Sequence, residues 1–282
     1  IVRASEFLPQ IHKPFNLSQH EFTQAIYLIL AGLAKKIIIS DYISSNFVDL
    51  VFSTPNSFTG FENLVAIYGY SMQIYCDFSG YSDIAIGTAR LFGISLLRNF
   101  AYPYFSRDMA EFWRRWHISL SSWFKDYLYI PLGGSKGGIW MRIRNTFIIF
   151  IVSGFWHGAN WTFIVWGLLN ALFVIPSILL NTNRNNLDIV AKQNRFPSIK
   201  DLLNIGFTFF LTAFAWIFFR ANDLTHAFNY ITEIFSSSLF TVPHFPGIEK
   251  AIYTFWIIIV FILVEWYGRE QQFAFAKFGA NW

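Results

Sequence analysis

The sequence predicts an all-α, polytopic membrane protein, and three observations carry that prediction. Of 282 residues, 54% are hydrophobic and only 13% are charged, where a soluble globular domain carries about 25%. Several apolar stretches approach the roughly 20 residues that a helix needs to cross about 30 Å of hydrocarbon. The aromatic share of 21% also excludes a disordered chain, which would be poor in such residues. The lone Cys76 supports no disulfide framework. A net charge of +4 builds no continuous basic surface, so nucleic acid is not an expected partner.

The elements follow in chain order. The chain opens at Ile1 without Met and without a basic-then-apolar leader. The expectation is therefore an internal start, with residues 1–282 forming one transmembrane domain that lacks N-terminal spans. Residues 24–39 are a first apolar stretch, with Lys35 and Lys36 near its end. Residues 61–75 and 84–97 read as a pair of helices broken by the turn-prone run 77–83. Residues 145–180 carry no formal charge. Residues 202–219 and 251–267 are single spans, and the polar runs 181–199 and 220–250 read as loops.

Loop charges orient these spans. Residues 98–144 hold eight Lys/Arg and three acids, and residues 181–201 hold four and two. Residues 220–250 hold two basics and three acids. Lys and Arg near span ends favour the cytoplasm, which puts the first two regions inside and the third outside. Residues 145–180 must then enter and return. The run 161–180 is long enough to span, whereas 145–156 reaches only about 18 Å. The expected arrangement is a short or re-entrant helix, a break at His157-Gly-Ala-Asn160, then a full span. Broken helices at membrane depth are tolerated where protein or a wet cavity satisfies the freed backbone groups.

His157 sits in that break, in Ser153-Gly-Phe-Trp-His-Gly-Ala-Asn-Trp161. An ionisable side chain at membrane depth points to function, and imidazole suits proton transfer near neutral pH. The bland alternative is a neutral histidine that helps helices pack. Gly154 and Gly158 leave room for another backbone or a substrate. His117 lies in residues 106–129, which read as one amphipathic interfacial helix. Phe105, Met109, Phe112, Trp116, Leu120, Trp123 and Tyr127 share one stripe, while Arg107, Asp108, Glu111, Arg114 and Arg115 cover the other side. Ser106 is the expected cap. On this pattern alone His117 is an interfacial, solvated residue.

Asp77 and Asp83 read chiefly as caps of the expected break, with cation binding or histidine orientation as alternatives. Leu132-Gly-Gly-Ser-Lys-Gly-Gly138 does not match a Walker A loop and reads as a flexible basic turn. Among six His and one Cys there is no metal-ligand spacing, so no metal is expected.

Three motifs carry a family resemblance: Trp113-Arg-Arg-Trp-His-Ile-Ser-Leu-Ser121, Trp123-Phe-Lys-Asp-Tyr-Leu-Tyr-Ile-Pro-Leu-Gly-Gly134, and the His157 segment. The chain resembles the membrane-bound O-acyltransferase superfamily, and within it the bacterial alginate O-acetylation branch. The resemblance covers nearly the whole chain, which is similar to a C-terminal portion of longer relatives. It implies a multi-pass protein of the bacterial inner membrane. It implies that His157 is catalytic and His117 is the second active-site histidine. It also implies acetyl-CoA or another acyl thioester as donor, no tightly bound cofactor, and an exported polysaccharide as acceptor, reached directly or through an extracytoplasmic partner protein. It assigns no role to Trp116, Asp126 or Asn160. Two other readings remain: a transporter or channel, which predicts an inverted repeat that is not visible, and a non-catalytic subunit of a polysaccharide secretion complex.

Overall fold

The computed structural model describes residues 2–192, 194–244 and 248–274. Among them there are helices and no strand. After the short helix α1 (Ala4–Ile11), α2 (Gln19–Leu33) starts at a reciprocal cap between Ser18 and Glu21. The rod then continues through π-helical turns Ala34–Asp41 and Ser44–Val48 into α3 (Asp49–Ser53). Gln19–Ser53 is one of four helices among the described residues that are apolar and long enough to cross a membrane.

The expected break at residues 77–83 is absent. Helix α4 runs unbroken from Gly60 to Leu91, 32 residues, from a cap formed by Thr59 and Glu62. Asp77 and Asp83 are therefore not caps. They face the rod that α2 begins, where Asp83 pairs with Lys35 at 2.9 Å and Asp77 with Lys36 at 2.6 Å. Gly80 is a packing residue here: a Cβ on it would stand 2.7 Å from the Gly32 carbonyl oxygen. Two ion pairs and a close backbone approach thus fix α4 to that rod, and turn-prone residues serve a straight helix. A buried polar contact ties in the last span, where the Tyr75 hydroxyl donates to Glu265 at 2.7 Å.

The expected single helix over 106–129 is two short ones, α5 (Met109–Arg115) and α6 (Ile118–Phe124), followed by a π-helical turn Lys125–Tyr129. Its cap is Asp108, which accepts from the Glu111 amide, rather than Ser106, whose hydroxyl donates to the Pro103 carbonyl. Glu111 is not on a water-facing side either: it is 1% exposed and takes Arg107 and Arg115.

Helices α7 (Gly138–His157) and α8 (Trp161–Leu179) pack against each other across the expected break. α7 is longer than the sequence suggests, because it begins seven residues earlier and includes Arg142 and Arg144. At 20 residues it measures about 30 Å. The two basic side chains mimic a loop in sequence, yet Arg142 reaches Asn181 and Arg144 reaches the Leu132 carbonyl. Then come α9 (Ile199–Arg220), α10 (Leu224–Ile234) and α11 (Ile248–Gly268). With Gln19–Ser53 and α8, the helices α9 and α11 complete the four candidate spans. Residues 220–250 are not a plain loop, since α10 packs Ala227, Tyr230 and Ile234 inward; residues 245–247 of that run lie outside the described residues. The core is aromatic where α4, α5, α8 and α9 meet: Trp116 sits 5.2 Å from Trp216, which stacks on Trp166 at 5.8 Å.

Candidate active site

His157 is the last residue of α7, and the break that follows is held from both sides. Asn160 accepts from the Thr162 amide at 3.1 Å, capping α8, while its Nδ2 donates to the Asn222 carbonyl at 2.7 Å. α7 and α8 touch backbone to backbone, as the small residues predict: a Cβ on Gly154 would stand 2.3 Å from the Phe163 carbonyl oxygen. The His157 ring meets Trp166 edge-on at 5.2 Å and Phe219 at 5.0 Å.

His117 occupies the kink between α5 and α6, with φ 44° and ψ 55°. This left-handed backbone costs a non-glycine residue about 1–3 kcal/mol and persists only where the surroundings impose it. Here they do. Residues 99–101 bond across the kink: the Ala101 amide donates to the Arg115 carbonyl at 3.0 Å and the Ile118 amide to the Asn99 carbonyl at 3.0 Å. Asn99 Oδ1 accepts from the Ser119 amide, and its Nδ2 donates to Ser82 on α4. The kink turns the imidazole inward. It is 7% exposed, edge-on to Phe78 at 4.6 Å and 6.5 Å from the Trp156 ring. The interfacial, solvated reading of His117 is thus overturned.

The two histidines, 40 residues apart in sequence, line one cavity of about 340 Å³. Ser121, Ser153, Arg114 and Lys125 share its walls. Among the described residues neither imidazole has a hydrogen-bond partner, so each offers its ring nitrogens to whatever enters. The described residues contain no metal-binding cluster.

The membrane-bound O-acyltransferase family pattern matches residues 1–219. The chain belongs to the membrane-bound O-acyltransferase family. Curated relatives agree. The Pseudomonas aeruginosa protein named "Probable alginate O-acetylase AlgI" is 33% identical over 277 residues, covering 95% of this chain and 51% of that protein. The Helicobacter pylori peptidoglycan O-acetyltransferase is 39% identical over 80% of this chain and 42% of its own length. The Bacillus subtilis teichoic acid D-alanyltransferase is 32% identical over 71% of this chain and 51% of its own length. The chain spans about half the length of the alginate O-acetylases it matches.

Within this membrane-bound O-acyltransferase chain the other motif residues have structural partners. Asp126 forms an ion pair with Arg3, and Trp116 fills the aromatic core. The glycine-rich turn is not loose, because the buried Asn145 donates to the Gly134 carbonyl at 3.0 Å. Sequence reasoning misses Ser121 and Ser153, although both stand inside the quoted motifs. It also misses Asn99, which nothing in its neighbourhood marks.

Proposed function

We propose that this chain carries the acyl-transfer centre of a multi-pass protein of the bacterial inner membrane, moving an acetyl group from a thioester donor such as acetyl-CoA to a hydroxyl of an exported polysaccharide. One observation carries the reading: two imidazoles without partners among the described residues face a single cavity at a helix break. His157 takes the proton from the acceptor hydroxyl as its oxygen attacks the thioester carbonyl. The carbonyl oxygen gains negative charge, and His117, imposed by a strained backbone, donates to it. Collapse of the intermediate breaks the C–S bond, and the thiolate takes the proton back from His157. A well-placed general base contributes about 10² to 10⁴-fold.

The basic excess of residues 98–144 supports donor entry from the cytoplasm, with Arg114 and Lys125 on the cavity wall suited to the donor's phosphates. The acetyl group then reaches the polysaccharide on the far side, directly or through an extracytoplasmic partner protein. The relatives supply alginate, peptidoglycan and teichoic acid as acceptor classes. The test uses the full-length protein in nanodiscs with radiolabelled acetyl-CoA and acceptor. Histidine-dependent transfer of label is expected. Wild-type transfer by His157→Ala would overturn the assignment.

A further inference from the structure

A second concave site lies beyond the helix break. It is a groove of about 500 Å³ between the α3–α4 connection, residues 53–57, and the start of α10. Among the described residues its lining contains no Lys or Arg, in contrast to the histidine cavity with Arg114 and Lys125. Part of the lining is committed internally. Asp223 accepts from the His226 amide, and His226 Nε2 lies 2.9 Å from the Phe52 carbonyl oxygen. Ser53 and Thr54 donate to the Leu50 carbonyl. Five side chains remain: Asn56, Ser57, Asn222, Thr225 and Asn229 have no side-chain partner among the described residues. Together they present three amides and two hydroxyls, which both donate and accept.

The groove is also coupled to the catalytic break. Asn160, three residues past His157, holds the groove residue Asn222 at 2.7 Å. Phe219, three residues before Asn222, packs edge-on to the His157 ring at 5.0 Å. A lining residue of the groove and a ring contact of His157 therefore stand three residues apart in the chain.

We infer that this groove is the acceptor subsite and that it takes an uncharged, hydroxyl-rich glycan segment rather than a polyuronate. The inference rests on the acyl-transfer reading for its purpose, though not for the binding itself. Neutral sugar hydroxyls both donate and accept, as free amide and hydroxyl side chains do. A polyuronate would bring carboxylates next to Asp223 with no Lys or Arg lining the groove to meet them, and like charge without a partner opposes binding.

The test is direct binding to the full-length protein in nanodiscs, by saturation-transfer NMR. The probes are cellohexaose and a hexamannuronate of equal length at one ionic strength. Cellohexaose is expected to bind at least tenfold more tightly than the uronate. Asn56→Ala with Asn229→Ala, and separately Thr225→Val, lower that affinity several-fold or more, and these positions at the groove surface leave folding intact. Equal or tighter binding of the uronate overturns the inference, as does undetectable cellohexaose binding or wild-type affinity in the groove variants. The two readings fail separately. Histidine-dependent transfer with wild-type binding in the groove variants sinks the groove alone. Groove-dependent binding with histidine-independent transfer sinks the catalytic assignment alone.

Discussion

Two helix interruptions bring the two histidines to one cavity, and they are built in opposite ways. The α7–α8 break is local: Gly158 follows His157, Asn160 caps the next helix, and Gly154 lets the two backbones meet. The α5–α6 kink has no glycine, proline or asparagine at its centre. A histidine stands there at φ 44°, held by Asn99 and, through it, by Ser82 on α4. A break made by its own residues can be read from them. A kink imposed by distant hydrogen bonds cannot.

The largest test of this difference is catalytic. His157→Ala is expected to lower acetyl transfer by about 10² to 10⁴-fold, the loss of a general base. His117→Ala is expected to cost about 10² to 10³-fold, the loss of one donor to a developing oxyanion. Initial rates with labelled donor measure both. Equal pH-rate profiles for the two variants would erase the distinction between base and oxyanion donor.

The next test concerns space. Gly154→Val adds a side chain whose Cβ would stand 2.3 Å from the Phe163 carbonyl oxygen. Overfilling a packed contact costs about 1–3 kcal/mol, so the thermal transition in detergent should fall by several degrees. An unchanged transition would mean that α7 and α8 separate freely at the break.

A smaller test separates strain from chemistry. Left-handed backbone costs an L-residue roughly 1–2 kcal/mol that glycine does not bear. His117→Gly should therefore melt above His117→Ala. His157 ends a right-handed helix, where glycine has no such advantage over alanine and costs up to about 1 kcal/mol. His157→Gly should melt no higher than His157→Ala. Matching orders at both sites would show that the His117 backbone is relaxed.

These contrasts locate what the sequence can disclose. The spans are legible because their composition is a local property, and so is the 157–160 break. The continuity of α4 is not: Asp77, Gly80 and Asp83 look like a turn until Gly32, Lys35 and Lys36 are placed beside them. The stripe over residues 105–127 assumes an unbroken 100° per residue, and the kink at Trp116 and His117 moves every later position. His117 is found through its motif and not through its helix face. The cavity itself depends on two segments 40 residues apart and is visible only in the fold.

The smallest effect concerns what braces the kink from outside. Residues 181–192 lie against α5, where Arg107 reaches Asp188 at 2.9 Å and Arg114 reaches the Asn183 carbonyl at 2.6 Å. The hydrogen bond from Arg107 holds the Asp188 carboxyl below the ordinary carboxylate range. A carboxyl depressed in the folded state contributes its stability above the unfolded value, near 3.9 for Asp, and loses it as pH falls through the lower folded value. The Asp188 side chain is 62% exposed, so screening limits the pair to about 0.5 kcal/mol. Limited proteolysis within residues 181–192 should therefore accelerate slightly as pH drops below about 4 in the wild type. In Asp188→Asn it should already be at that faster rate at pH 7, with no acid-dependent step. A step that survives in Asp188→Asn would assign the acid dependence to another carboxyl and not to the Arg107–Asp188 pair.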